Sequence, residues 1–223
     1  MIKIMLIDDY PIIRSGVTRL IESQKNMSVV AETDNADDGY KLYFKTKPDV
    51  LILDLDLHDS SLGMLNQLIT KDPKAKVMVF SSRVEGTFAI QSISAGAKGY
   101  VVKSSSQDDI VNAIQQINKG QSYLSPEVAQ DIALQKLNLG DNPMENLTTR
   151  EFEVFRLLAE GANIDKVASK LKIGYKTAAN YQTVLKQKLN ISSPIELIRL
   201  ALKHRVITIN MAFLPFIIAP MDL

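Results

Sequence analysis

Two apolar patterns divide this chain. As far as about residue 122, short unbroken apolar runs alternate with stretches whose apolar residues recur at helical spacing; from Leu147 onward only the helical spacing persists. The runs at residues 2–7, 28–31, 50–53, 76–80 and 99–102 each predict a strand. One as uniformly apolar as Val50-Leu-Ile-Leu53 fits a strand covered on both faces of a parallel sheet. Between the runs the spacing predicts helices. One starts at Pro11 and carries Ile12, Ile13, Val17, Leu20 and Ile21; others cover 36–44, 62–70, 87–95 and 107–118, ended in turn by Lys47-Pro48, Asp72-Pro73, Gly96 and Gly120. Five strands alternating with five helices predict an α/β domain built on a doubly wound, five-stranded parallel sheet.

Residues 125–137 read as a linker helix, with Ser125 as its cap, Pro126 in its first turn, and Val128, Ile132 and Leu139 as apolar points. Gly140-Asp-Asn-Pro143 breaks it and is the expected hinge. Four short helices follow. Leu147-Thr-Thr-Arg-Glu151 opens the first with a capping threonine and an acid near the third helical position, and Gly161 closes it. The second covers 164–171, Lys172-Ile-Gly174 makes a tight turn, and helices over 175–189 and 194–204 complete the set. A short helix, a glycine-bearing turn and a longer polar helix predict a helix-turn-helix within an all-α four-helix domain. Its third helix is the one to enter a major groove, with its N-terminal part on the bases.

Charge separates the two parts further. The whole chain of 223 residues carries a formal net charge of +1, which taken alone argues against a nucleic-acid partner. Residues 1–122 hold 14 basic against 15 acidic side chains, but residues 147–205 hold 11 against 5. The last third is a basic module of +6 on a neutral body, as a domain that binds double-stranded DNA requires. The absence of cysteine excludes disulfides and thiolate metal sites and fits a reducing compartment. Lys3 and Asp8 interrupt the first apolar run, and no uncharged run approaches the length of a membrane span. The expectation is a cytoplasmic protein with no membrane partner.

Candidate chemistry sits at the strand ends. The first run ends in Asp8-Asp9 and the third in Asp54, followed by Asp56; the fourth ends in Ser81-Ser82 and the fifth in Lys103. In an open α/β sheet, ligands bind just outside the carboxyl ends of the strands. Carboxylates converging there need a divalent cation or a basic side chain to offset them, and an oxygen-rich set suits Mg²⁺. A carboxylate can also accept a phosphoryl group as an acyl phosphate, with metal and lysine balancing the charge on the transferred oxygens.

With those residues in place, the first 120 or so positions resemble the receiver domain of a bacterial two-component response regulator, a flavodoxin/CheY-like fold. The resemblance implies that Asp54 is the phosphoacceptor. It implies that Asp8, Asp9 and Asp54 hold Mg²⁺ together with the backbone carbonyl of Asp56. Ser81 then hydrogen-bonds the phosphoryl group, Lys103 pairs with it, and Tyr100 is the aromatic that turns inward when Ser81 moves. The sequence departs from the family pattern at His58, where proline is usual, in a longer loop before Gly63, at Ser104 after Lys103, and in the extra carboxylate of Asp56. These departures bear on the rate and lifetime of phosphorylation.

The second half resembles the DNA-binding domain of the NarL/FixJ (LuxR-type) regulators through Leu147-Thr-Thr-Arg-Glu, the Glu160-Gly161 stop, Lys176-Thr-Ala and Lys188-Leu-Asn-Ile191. With Tyr181 and the helix over 196–204, it looks closest to the GacA/UvrY branch. The expected organisation is a receiver at 1–122, a linker at 123–145, a LuxR-type helix-turn-helix domain at 146–207 and an apolar tail at 208–223. Base contacts are expected from Asn180, Tyr181, Gln182 and Thr183, beside Thr177, with Lys176, Lys186 and Lys188 on phosphates. The tail is expected to cover an apolar groove or to serve a dimer contact. The function expected is that of a transcription factor, not an enzyme, switched by a partner histidine kinase and dimeric when phosphorylated. Its rivals are a constitutive DNA binder with a degenerate receiver and a protein-interaction adaptor.

Overall fold

The computed structural model describes residues 1–57, 61–139 and 142–208. The first domain is a parallel sheet in the order β2-β1-β3-β4-β5-β6. Its strands are β1 (Ile2–Ile7), β2 (Met27–Thr33), β3 (Val50–Asp54), β4 (Val77–Ser81), β5 (Gly99–Val102) and β6 (Tyr123–Leu124). The reversal of strand order at β1 and β3 opens a crevice at their carboxyl ends, where Asp8 and Asp54 lie. All five residues of β3 and all five of β4 are buried, as their unbroken apolar runs require. The sheet has one strand more than the five the pattern gives: Tyr123 and Leu124 pair with Gly99 and Tyr100, extending the edge by two residues.

The helices of this domain are α1 (Pro11–Glu22), α2 (Ala36–Thr46), α3 (Ser61–Lys71), α4 (Gly86–Ser94) and α5 (Gln107–Asn118). Their starts are set by local chemistry. Asn35 caps α2 by accepting from the Asp38 amide, Ser106 caps α5 by accepting from the Asp109 amide, and Pro11 occupies the first turn of α1. Gly96 ends the α4 turn at φ +103, where a Cβ would also press into Ile69. One face of the sheet packs Ile4, Leu6, Ile52, Met78 and Phe80 against Val17 and Ile21 of α1 and Ile110, Ile114 and Ile117 of α5.

The other face belongs to a longer core. It runs from Met5, Leu53 and Val79 through Leu65 and Phe88 to Phe152, Phe155, Val167, Leu185 and Val206. The linker helix α6 (Pro126–Leu139) and a 3-10 turn at Pro143–Asn146 lie in this layer, followed by α7 (Thr149–Ala159), α8 (Ile164–Lys170), α9 (Tyr175–Leu189) and α10 (Pro194–Lys203). Thr148 and Glu151 close a reciprocal capping box on α7, and Ser193 and Glu196 close another on α10.

The linker is thus packed rather than free. Gly86 at the start of α4 lies so close to α6 that a Cβ there would meet Ile132 Cγ1 at 2.4 Å. The Gly86 amide donates to Asp131 Oδ2 at 2.8 Å, and Asp131 Oδ1 receives Arg205 from beyond α10 at 2.9 Å. Of the expected hinge, Asn142 is buried and caps the 3-10 turn, while Gly140 and Asp141 lie outside the described residues. His58 and the apolar tail from residue 209 also lie outside them. No helix among the described residues is long and apolar enough to cross a membrane.

Candidate functional site

The acidic strand ends come together. One carboxylate oxygen from each of Asp8, Asp9 and Asp54 falls within 4.8 Å of the others. Asp8 and Asp54 are fully buried, because β1 and β3 are adjacent interior strands. Lys103 reaches across from the end of β5, placing Nζ 2.8 Å from Asp8 Oδ2 and 3.0 Å from Asp54 Oδ2. Lys103 thus meets two of the three clustered carboxylates, Asp8 and Asp54. This oxygen-only set fits a hard divalent cation such as Mg²⁺.

Burial dominates the state of Asp54: it pushes the carboxyl up to about 6, against the Asp56 amide (3.0 Å to Asp54 Oδ1) and Lys103, which both favour the anion. Burial alone would also lower Lys103, but Asp8 and Asp54 outweigh it and hold the ammonium above its ordinary value.

Ser81 stands at the end of β4, in register with Val102 of β5, and is fully buried. Its hydroxyl donates to Asp56 Oδ2 at 3.2 Å and accepts from the Arg83 amide at 3.1 Å. Asp56 is the centre of a second polar cluster. Its Oδ2 also accepts from the Ser82 hydroxyl at 2.9 Å and the Ser82 amide at 3.4 Å, while Oδ1 accepts from Arg83 Nε at 2.9 Å. Burial opposes the charge, yet Arg83 and Ser82 together keep the Asp56 carboxyl below its ordinary value. Tyr100 is fully buried and turned inward, with its hydroxyl donating to the Arg83 carbonyl at 2.9 Å. Burial also raises its phenol above the usual value.

Arg83 links this cluster to the second domain. Its guanidinium carbon lies 4.4 Å from the centre of the Phe88 ring, and Phe88 meets Phe152 of α7 edge-to-face at 5.5 Å. Neighbouring contacts bind α4 to the 3-10 turn and to the end of the second domain. Gln91 Nε2 donates to the Met144 carbonyl at 2.6 Å, and Thr87 Oγ1 donates to the His204 carbonyl at 3.1 Å. On α3, the Gly63 amide donates to Glu153 Oε1 at 3.2 Å. Arg83 was not among the residues the sequence singled out. A basic residue just past a strand has no pattern of its own, and only Asp56 and Phe88 give it meaning.

On the recognition helix α9, Lys176, Thr177, Asn180, Thr183, Lys186 and Lys188 are exposed, and Tyr181 and Gln182 are half-buried. Lys188 Nζ ion-pairs with Glu151 Oε2 at 2.8 Å, so this lysine braces α9 against the capping box of α7. Burial raises the Glu151 carboxyl, but Lys188 and Thr148 outweigh it and hold the group below its ordinary value. The turn before α9 reaches the first domain through Lys172, whose Nζ lies 2.6 Å from Asp37 Oδ2.

Comparison with known proteins agrees with both halves. Residues 4–115 match the family described as response regulator receiver domain, and residues 145–201 match bacterial regulatory proteins of the luxR family. The response regulator GacA of Pseudomonas aeruginosa is 32% identical over 210 residues, which is 93% of this chain and 98% of GacA. The response regulator UvrY of Escherichia coli is 27% identical over 207 residues, covering 92% and 95% of the two chains. The fold is also that of RcsB from Salmonella enterica, solved on promoter DNA with a phosphomimetic. That comparison has a TM-score of 0.70 at 21% identity, over 89% of this chain and 97% of that one.

Proposed function

This chain belongs to the LuxR-type two-component response regulators, and we propose from that premise that its switch is phosphorylation of Asp54. It is a transcriptional response regulator with a receiver and a LuxR-type DNA-binding domain, served by a sensor kinase and acting on DNA. The single observation that supports Asp54 as phosphoacceptor is its place between the Asp8–Asp9 pair and Lys103, on a buried strand end. In the transfer, an Asp54 carboxylate oxygen bonds to phosphorus while the bond to the donor's histidine nitrogen breaks, and that nitrogen keeps the electron pair. Asp8, Asp9 and Asp54, with the Asp56 backbone carbonyl, would hold Mg²⁺, which when bound offsets the charge on the phosphoryl oxygens. Lys103 holds the third side of that charge, and Ser81 supplies a hydroxyl donor.

The output surface is the basic module, with Asn180, Tyr181, Gln182, Thr183 and Thr177 on the bases. Lys176 and Lys186 are the phosphate contacts of choice, and Lys188 can join them only by leaving Glu151. Coupling between the halves runs through α4. Its face is already covered by α6, the 3-10 turn and α7, so it cannot at the same time pair with a second receiver. Phosphorylation releases that face for dimerisation, and two linked half-site readers then bind DNA through effective concentration rather than new contacts.

Incubation with acetyl phosphate and Mg²⁺, followed by intact-mass measurement, tests the assignment. One phosphoryl group is expected on the native chain and none on Asp54→Asn, and Asp9→Asn should remove the dependence on Mg²⁺. Full incorporation on Asp54→Asn would sink the reading.

A further inference from the structure

A cleft of about 1010 Å³ lies between the domains, walled by α2 and α3 on one side and by α7, the end of α8 and α9 on the other. Its lining carries five basic side chains, Lys41, Lys71, Arg150, Lys170 and Lys172, against two acids, Asp37 and Glu153. Both acids already have cationic partners. Lys172 Nζ lies 2.6 Å from Asp37 Oδ2, and Arg150 Nη1 lies 3.0 Å from Glu153 Oε2. Lys41 pairs at 3.2 Å with Asp38, which is outside the lining. Lys71 and Lys170, the last residues of α3 and α8, have no ion pair among the described residues. A lysine at a helix C-terminus complements the helix dipole, so each alone is an ordinary surface residue. Together, one from each domain, they leave the lining with an excess of three positive charges. The volume suits a ligand of nucleotide size. A chain of two or three phosphates brings several negative charges and many acceptor oxygens, which is the match for such a lining. Tyr40 and Tyr181, also in the walls, offer rings to a flat group carried on that chain.

We propose that this cleft binds an oligophosphate, the phosphate chain of a nucleotide or of an inorganic polyphosphate, and that the bound ligand holds the two domains docked. A ligand gripped by walls from both domains makes all its contacts only in the docked form, so by mass action it stabilises that form. Tyr181, one of the residues proposed to read bases, is taken out of use with the cleft it lines. The ligand is an input opposed in sign to phosphorylation, lowering DNA affinity at a fixed phosphoryl level. Its site needs neither Asp54 nor Mg²⁺.

Calorimetric titration of the full chain with ATP, AMP and inorganic tripolyphosphate tests the site, in EDTA so that no divalent cation bridges phosphates to the acidic crevice. One ATP per chain is expected, with AMP roughly tenfold weaker or worse for want of the phosphate chain. Tripolyphosphate equal to ATP would assign recognition to the phosphates alone, and a weaker tripolyphosphate would add the tyrosine rings; either upholds the site. Lys71→Ala should lose roughly tenfold in affinity, the worth of one charge-assisted hydrogen bond, and Lys71→Arg should recover most of it. Lys25→Ala, just past α1, and Asp54→Asn should bind as the native chain does. Mobility shifts on the same proteins read the output. ATP should weaken DNA retention of the native chain and leave that of Lys71→Ala nearly unchanged at the same concentration. Because Lys71 belongs to the receiver, plain competition between ATP and DNA for the basic module would weaken both proteins alike, and that result overturns the proposal. So would the absence of saturable binding at millimolar ATP, or an equal loss in Lys25→Ala. Loss of binding in Asp54→Asn would place the ligand in the acidic crevice and overturn it too. None of these outcomes bears on Asp54 as phosphoacceptor, which the intact-mass measurement decides separately.

Discussion

Replacing Phe88 by leucine should loosen the receiver from the DNA-binding domain without unmaking either. Phe88 is 1% exposed, wedged between Arg83 and Phe152. Its contact with Arg83 lies within the receiver and persists or disappears alike in docked and undocked forms, so it drops out of the difference. What docking loses is the edge-to-face pair with Phe152, worth about 0.5–1.5 kcal/mol beyond area, and the apolar area that leucine does not cover, about 1 kcal/mol more. The docked form is then weaker by about 1.5–2.5 kcal/mol, a shift of roughly 10- to 70-fold in the equilibrium. If docking is what keeps α4 from a second receiver, the apparent DNA affinity of the unphosphorylated protein should rise by a factor approaching that range. The dimer fraction should rise with it. Sedimentation velocity and mobility-shift titration over one concentration range read both quantities. A Phe88→Leu protein that melts cooperatively yet binds DNA no better than native, without phosphate, would show that docking is not what holds the dimer back.

Other outcomes depend on the titrating and charged groups. Burial raises the Asp54 carboxyl to about 6, so the folded state holds a proton that the unfolded chain has released between about pH 4 and 6. Stability therefore falls as pH rises through that window, and Asp54→Asn should stabilise the fold above pH 6 by at most about 3 kcal/mol, read as a higher melting temperature, with the gain fading toward pH 4. His204 has the opposite sign: burial, then Lys203, lowers its pKa, and its carbonyl receives Thr87 from α4 while Gln135, Lys136, Asn142 and Glu145 line the same small cavity. Its stability is full above its ordinary pKa and is lost as pH falls below it, so interdomain protection from hydrogen exchange should weaken below about pH 6.5 in the native chain and stay level in His204→Gln. DNA affinity should fall steeply with salt, because each neutralised phosphate releases counterion; a shallow slope would favour a protein-interaction role.

The sheet was legible because β3 and β4 are covered on both faces and so carry no polar residue until the strand ends. The acids, Ser81 and Lys103 could be read for the same reason, since a buried run that stops in a charged or hydroxyl residue marks a crevice. Caps at Asn35, Ser106 and Thr148 fixed the helix starts locally. The sixth strand escaped notice because two residues make no pattern; Tyr123 and Leu124 become a strand only when β5 is beside them. Lys188 looks like a phosphate contact on a helical wheel, and only the fold brings Glu151 to it. The docking of α4 left one trace: Phe88, Ala89, Ile90 and Ile93 surround much of that helix, more apolar surface than one sheet face can cover. The partner of that extra face is set by chain-distant packing, which periodicity does not encode.

All of this turns on whether a phosphoryl group on Asp54 changes what the basic domain does. Acetyl phosphate and Mg²⁺ should be added to one sample in which intact mass, sedimentation and DNA retention are all followed in time. Phosphoryl incorporation, dimer fraction and DNA affinity are expected to rise together on the native chain, and none of the three should change on Asp54→Asn. Complete phosphorylation of Asp54 that leaves the protein monomeric and its DNA affinity unmoved would contradict the switch.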